Sequence, residues 1–270
     1  MIAFASIAIG LYLIASWQLS RASIASGGAP GTSRYQLALL LGGLAALTHL
    51  GIHIDAWQSV GGVDLRFFAA LSLVLLGMAL LSTAVASNRR FDALGGVVYP
   101  LAAACAGVYA LQGSGPAQAL DWRLQLHALL ALLAFATLAV AALLAVMLML
   151  QESALRRRQL DAPLLRWLPP LTELETLLFR TIAVGFGLLS TALLTGALFV
   201  DNLLAQHLMH KTVLSVLSWL VFGALLVGRA RYGWRGGRAV RMTLAAMGLL
   251  LLAFFGSKFV LELVLMRGNP

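Results

Sequence analysis

Residues 124–151 read LQLHALLALLAFATLAVAALLAVMLMLQ, a run of 28 positions without a formal charge. Crossing about 30 Å of hydrocarbon takes about 20 helical residues, and a helix satisfies its own backbone where no water can. The run therefore reads as a transmembrane helix. Working outward, seven more stretches qualify, which gives approximate spans 2–19, 35–54, 65–86, 93–111, 124–150, 176–200, 212–228 and 242–266. Composition agrees. Of 270 residues 61% are apolar and 11% charged, with a mean hydropathy of +0.91; soluble domains carry about 45–50% and about 25%. A water-soluble globular enzyme and a disordered tail are both excluded. Cys105, the single cysteine, leaves no internal disulfide, Cys-rich zinc site or CxxCH motif. The apolar start without a basic flank reads as a retained first helix rather than a cleaved signal. The expected fold is all-α: a polytopic membrane helix bundle of about eight transmembrane helices, forming a single membrane domain over residues 1–270.

Charge then sets orientation. The formal net charge is +9, which in a soluble chain would suggest nucleic acid. Here the connections after helices one, three, five and seven hold thirteen arginines, from Arg21 to Arg241, while the opposite side holds only Arg66, Arg123, Lys211 and Arg267. By the positive-inside rule the odd-numbered loops are cytoplasmic and both termini lie outside. No nucleic-acid partner is expected, and the basic loops face the lipid bilayer. The connection 152–175 mixes leucines and Trp167 with four arginines, as a cytoplasmic segment at the membrane surface would. Thr172-Glu173-Leu174-Glu175 then fits a capping box opening the sixth helix.

The residues able to carry chemistry are the five histidines. His49 and His53 fall near the outer end of helix two, His127 near the outer beginning of helix five, and His207 and His210 in or beside the outer connection between helices six and seven. Taken singly, a histidine at a helix end ordinarily makes an interfacial hydrogen bond. Five on one side suggest a ligand set. Neutral imidazole ligates iron, copper or zinc, and haem needs an axial imidazole beside an apolar slot. Zinc or copper would need three or four converging ligands, and the outer carboxylates Asp55, Asp64, Asp121, Asp201 and Glu262 show no such spacing. In helix eight Lys258 and Glu262 are four apart; the pair can satisfy itself or snorkel, or Lys258 can meet an anion such as a haem propionate. No nucleophile–base pairing, phosphate loop, dinucleotide fingerprint or HExxH occurs, so the chain is not expected to be an enzyme.

Four stretches carry a resemblance to a known family. They are His127 through Phe135 running on to Gln151-Glu152, His210 through Leu220, Arg231 through Gly236, and Phe254 through Phe259. Together they resemble the cytochrome c assembly family, with its CcsA-, CcmC- and HemX-like members, and most of all its eight-helix bacterial inner-membrane branch. The likeness covers helices five to eight well and the first four loosely. It implies haem handled by histidines in the membrane and on the outer, periplasmic face. His127 matches the family's outer histidine; His49 matches only by position. The family's WGxxWxWD signature is absent, with Asp201–His210 in its place, and Leu265 stands where a second outer histidine belongs. Haem binding or relay is therefore expected in place of full haem ligation to apocytochrome. His127 and His49 are the axial candidates, His53, His207 and His210 the alternatives, and Lys258 a propionate partner. Cytochrome c assembly components or another membrane protein would be partners, in the bacterial inner (plasma) membrane. Two other readings stay open: a structural or regulatory membrane partner without cofactor, for example of a transporter, and a bis-histidine electron-transfer cytochrome.

Overall fold

Where the chain turns helical, and which face it buries, follows from small residues recurring at intervals of three and four. The computed structural model describes residues 1–25, 32–86, 92–113, 115, 121–158, 168–199 and 206–256. Regular structure among them is helical: α1 (Ile2–Ala25), α2 (Thr32–Val60), α3 (Phe67–Ala86), α4 (Asp92–Gln112), α5 (Trp122–Arg156), α6 (Leu171–Phe199), α7 (Gln206–Tyr232) and α8 (Gly237–Leu251). A π-helical turn over Leu252–Gly256 continues α8. Eight helices among the described residues are long and apolar enough to cross a membrane, as the sequence predicts. The helices run past the expected ends at most termini. The 35 residues of α5 extend about 52 Å at 1.5 Å per residue, well beyond the hydrocarbon. The last part of the expected eighth span, including Lys258, lies outside the described residues, as do residues 159–167 of the surface segment expected between Glu152 and Glu175.

The chain divides into two compact units. The first comprises Met1–Asp64, Phe68–Gln118 and Leu150–Leu174, the second Leu65–Phe67, Ala119–Met149 and Glu175–Pro270. In the first, α1 packs along both α2 and α4. Ala5, Ala8, Tyr12, Ala15 and Leu19 form the buried stripe of α1, and Tyr35, Ala38, Ala45, His49, Ile52 and Ala56 that of α2. Both stripes step by three and four or by their sum, so one face of each helix stays inside. The large apolar side chains Leu40, Leu44, Leu47 and Ile54 of α2 are exposed, the pattern of helices that pack through small residues in lipid. Pro100 stands inside α4 and has no N–H for the carbonyl of Gly96 one turn back. Ser16 Oγ of α1 donates to that carbonyl at 3.2 Å.

In the second unit α5 and α6 run antiparallel. A Cβ at Gly185 would lie 2.6 Å from Leu138, and one at Gly196 would lie 2.9 Å from the His127 ring. Leu138 follows His127 by eleven residues as Gly196 follows Gly185, so one seam holds both contacts. Leu178, Ile182, Leu189 and Ala192 complete the buried stripe of α6. Between α7 and α8 the turn passes through Gly233 and Gly236, both at positive φ (63° and 58°). The Trp234 ring folds onto Gly228, where a Cβ would collide with it. The capping-box expectation is corrected here. Helix α6 begins at Leu171, directly after Pro169-Pro170, and the Glu175 carboxylate accepts from Arg229 Nη1 at 2.9 Å and Arg235 Nη2 at 3.2 Å instead of from open amides. With the helix starting five residues early, Glu175 lies past the position where a side chain can reach back to the cap.

Candidate functional site

His127 lies in the second turn of α5, five residues in from Trp122, and is half-buried. Its Nδ1 is 3.0 Å from the carbonyl oxygen of Ala192 and 3.2 Å from Thr195 Oγ1. A carbonyl oxygen only accepts, so the hydrogen of this bond sits on Nδ1. In the neutral ring Nε2 is then the bare nitrogen, and it has no hydrogen-bond partner among the described residues. Above the ring, towards the start of α5 and the end of α6, Trp122 and Phe199 meet at 6.4 Å between centroids. Farther along α5, Phe135 gathers with Phe254 and Phe255 at 6.1 and 5.2 Å, and Phe255 with Phe67 at 5.5 Å. The π turn that carries Phe254 and Phe255 is a rare geometry met mostly as single turns within helices.

The first unit holds the other pair. His49 and His53 share a face of α2 four residues apart, and both point at Ser72 of α3. His49 Nε2 is 2.8 Å and His53 Nε2 3.1 Å from the Ser72 hydroxyl. A hydroxyl has one hydrogen, so at most one Nε2 accepts from Ser72 and at least one ring donates to it through Nε2. His49 Nδ1 meets the Tyr12 hydroxyl at 3.3 Å, while the His53 ring stacks on Tyr109 at 4.9 Å. The Tyr109 hydroxyl donates to Asp64 at 3.4 Å. On the other side Tyr12 stacks with Tyr99 at 5.6 Å, whose hydroxyl is 2.9 Å from Thr83 Oγ1. His49 and Ser72 are fully buried, so these bonds form a polar network inside an apolar bundle.

Judged as iron donors the sites differ. An axial ligand needs one nitrogen free for the metal and gains from a hydrogen bond at the other. His127 meets both conditions. His49 has both nitrogens engaged with protein hydroxyls, whereas His53, with Nε2 on Ser72 and Nδ1 without a hydrogen-bond partner among the described residues, meets both as well; the family resemblance singles out His127 over it. Of the alternatives, His210 is exposed near the start of α7; His207 falls in the first turn of the same helix, its side chain outside the described residues, as is Lys258. Among the described residues no three of His, Cys, Asp and Glu converge on a point.

Several residues of these sites escape a sequence reading. Tyr12, Ser72, Tyr99, Thr83 and Tyr109 are scattered over three helices, and only their spacing within small-residue stripes marks them as inward. Ala192, Thr195 and Gly196 carry one weak signal, a glycine beside a hydroxyl inside an apolar helix.

Comparison with known proteins sets these geometries in a family. The family described as Cytochrome C assembly protein matches residues 38–265. The inner membrane protein YpjD of Escherichia coli K12 is 32% identical over 205 residues, covering 75% of this chain and 77% of the relative. An uncharacterised 28.8 kDa protein of Azospirillum brasilense is 32% identical over 255 residues, covering 90% of each. The cytochrome c biogenesis protein CcsA of Prochlorococcus marinus (CCMP1986) is 32% identical over 90 residues, 33% of this chain and 29% of the relative. No solved structure matches. With the match spanning most of the chain and the resemblance first seen in helices five to eight, this multi-pass membrane chain belongs to the cytochrome c assembly protein family.

Proposed function

We propose that the chain binds haem at the end of the second unit where α5 begins and α6 ends, with His127 Nε2 on the iron, and holds or relays it in cytochrome c biogenesis. The carrying observation is the His127 ring, whose Nδ1 is tied to Ala192 and Thr195 while Nε2 has no hydrogen-bond partner among the described residues. With Nδ1 carrying the hydrogen, Nε2 is the nitrogen with the lone pair, the atom an iron would take. Bound haem supplies an iron that takes an imidazole donor, with propionates that favour cations or water. Lys258, by its position in the sequence, is the cation we assign to a propionate. The role is binding and delivery, not catalysis. The arginine asymmetry favours the periplasmic side of a bacterial inner membrane for this site. The names of two relatives, inner membrane protein YpjD and cytochrome c biogenesis protein CcsA, support the setting and the pathway.

The test is a reduced-minus-oxidised absorption spectrum of the purified protein, with and without added haemin, in wild type and His127→Ala. A haem α-band in the wild type that disappears in the variant is expected. The absent Trp-rich signature favours a second reading, a cofactor-free partner of another membrane protein. A wild type without any band at saturating haemin selects that reading.

A further inference from the structure

We infer that Thr195 and Gly196 are positioning residues for the His127 imidazole, Gly196 setting where the ring lies and Thr195 setting how strongly its Nε2 donates. The inference rests on the haem reading above. Gly196 is not at positive φ, so its backbone does not require glycine. A glycine inside a helix costs about 1 kcal/mol relative to alanine, and here the space it leaves is occupied. A Cβ would stand 2.9 Å from His127 Cε1, 3.4 Å from Nδ1 and 3.6 Å from Nε2. Three ring atoms thus lie against one bare α-carbon, and any side chain at 196 lifts the ring off the helix.

Thr195 acts on the same ring through its hydroxyl. That hydroxyl has acceptors at 3.0 Å in the carbonyls of Thr191 and Ala192, so its own hydrogen points back along α6. Its lone pairs then face His127 Nδ1 at 3.2 Å. The Nδ1–H is shared between two acceptors, the Ala192 carbonyl and Thr195 Oγ1. Acceptors at the far nitrogen make an imidazole a more basic metal ligand and fix its tautomer, and losing such a partner typically costs about 10–100-fold in metal affinity. Mere packing of a polar residue against a helix would not move the electronic properties of the iron.

The experiment uses the full-length protein in detergent, titrated with haemin, in wild type, Thr195→Val, Thr195→Ser, Gly196→Ala and His127→Ala. Gly196→Ala should weaken haemin binding by about 10–100-fold. Thr195→Val, which keeps the side-chain shape, should raise the reduction potential of the bound haem, because a less basic ligand favours ferric iron less; Thr195→Ser should restore it. In haem-free protein, 15N spectra of the histidines should show a single Nδ1–H tautomer at His127 that is lost in Gly196→Ala. Wild-type potential in both Thr195 variants, with wild-type affinity in Gly196→Ala and haem lost only in His127→Ala, overturns this inference and leaves the ligand assignment standing. Haem absent from the wild type, or retained in His127→Ala, removes both. Should Gly196→Ala fail to fold, the Thr195 pair decides alone.

Discussion

At the scale of single residues, the bundle places its polar groups where a backbone or an imidazole lacks a partner. Pro100 is visible in the sequence as a residue that withholds a hydrogen from the carbonyl of Gly96. Its remedy is not visible, because Ser16 is 80 residues away from Gly96 and becomes its neighbour only through the packing of α1 on α4. Serine at 16 also falls next to Ala15 on the inward stripe, a position that periodicity alone fills with any small residue. Removing the hydroxyl strands a carbonyl in a place without water. Polar contacts between membrane helices average about 0.6 kcal/mol, and an unsatisfied buried group costs about 1–3 kcal/mol. Ser16→Ala should therefore destabilise the first unit by about 1 kcal/mol, read as a lower midpoint in detergent-induced unfolding. In a Pro100→Ala background the new N–H supplies Gly96, and the same Ser16→Ala change should become nearly neutral. Equal costs in the two backgrounds would show that the Ser16–Gly96 bond is not what stabilises the pair.

Helices and the turns between them form the next scale. The eight spans were legible because uncharged runs of helical length have one physical meaning in a chain this apolar. Helix ends were less legible. The sequence Thr172–Glu175 satisfies a capping pattern, yet Glu175 is buried against two arginines 54 and 60 residues later. A local pattern competes poorly with a paired charge, since a carboxylate entering an apolar bundle gains most from a cation. Only the fold brings Arg229 and Arg235 to it. The two arginines are unequal: Arg229 is 34% exposed, lies over the Phe179 ring at 4.6 Å and also reaches the Trp234 carbonyl at 3.3 Å, while Arg235 is 63% exposed. Breaking a fully buried pair costs about 3–5 kcal/mol, and solvent reduces that here. Glu175→Ala should cost about 2 kcal/mol and Arg235→Ala under about 1 kcal/mol, compared by thermal unfolding of the purified variants. An Arg235→Ala as damaging as Glu175→Ala would move the centre of this clamp to the exposed arginine.

Over the whole molecule, the histidines show where sequence reasoning stops. All five could be assigned to one membrane face from span order and arginine count, and His127 was carried by the family resemblance. Nothing in the one-dimensional pattern separates His49, whose ring nitrogens are spent on Tyr12 and Ser72, from His127, whose Nε2 is left over. Separating them requires helices from one unit in register, Gly196 under one ring and Ser72 beneath two. The face itself rests on charge asymmetry, and that can be tested independently of haem. With Cys105, which is half-buried, replaced by alanine, single cysteines are placed at Asp121, exposed at the head of α5, and at Tyr232, 72% exposed at the end of α7. Arginines at 229, 231, 235, 238 and 241 crowd around the second position and only Arg123 stands near the first, so the two should lie on opposite sides of the membrane. A membrane-impermeant maleimide applied to intact spheroplasts should label Asp121→Cys at once and Tyr232→Cys only after permeabilisation. The reverse pattern would put the mouth of the His127 site in the cytoplasm. The ligand chemistry of His127 would survive that result, and delivery of haem to the outer face would not.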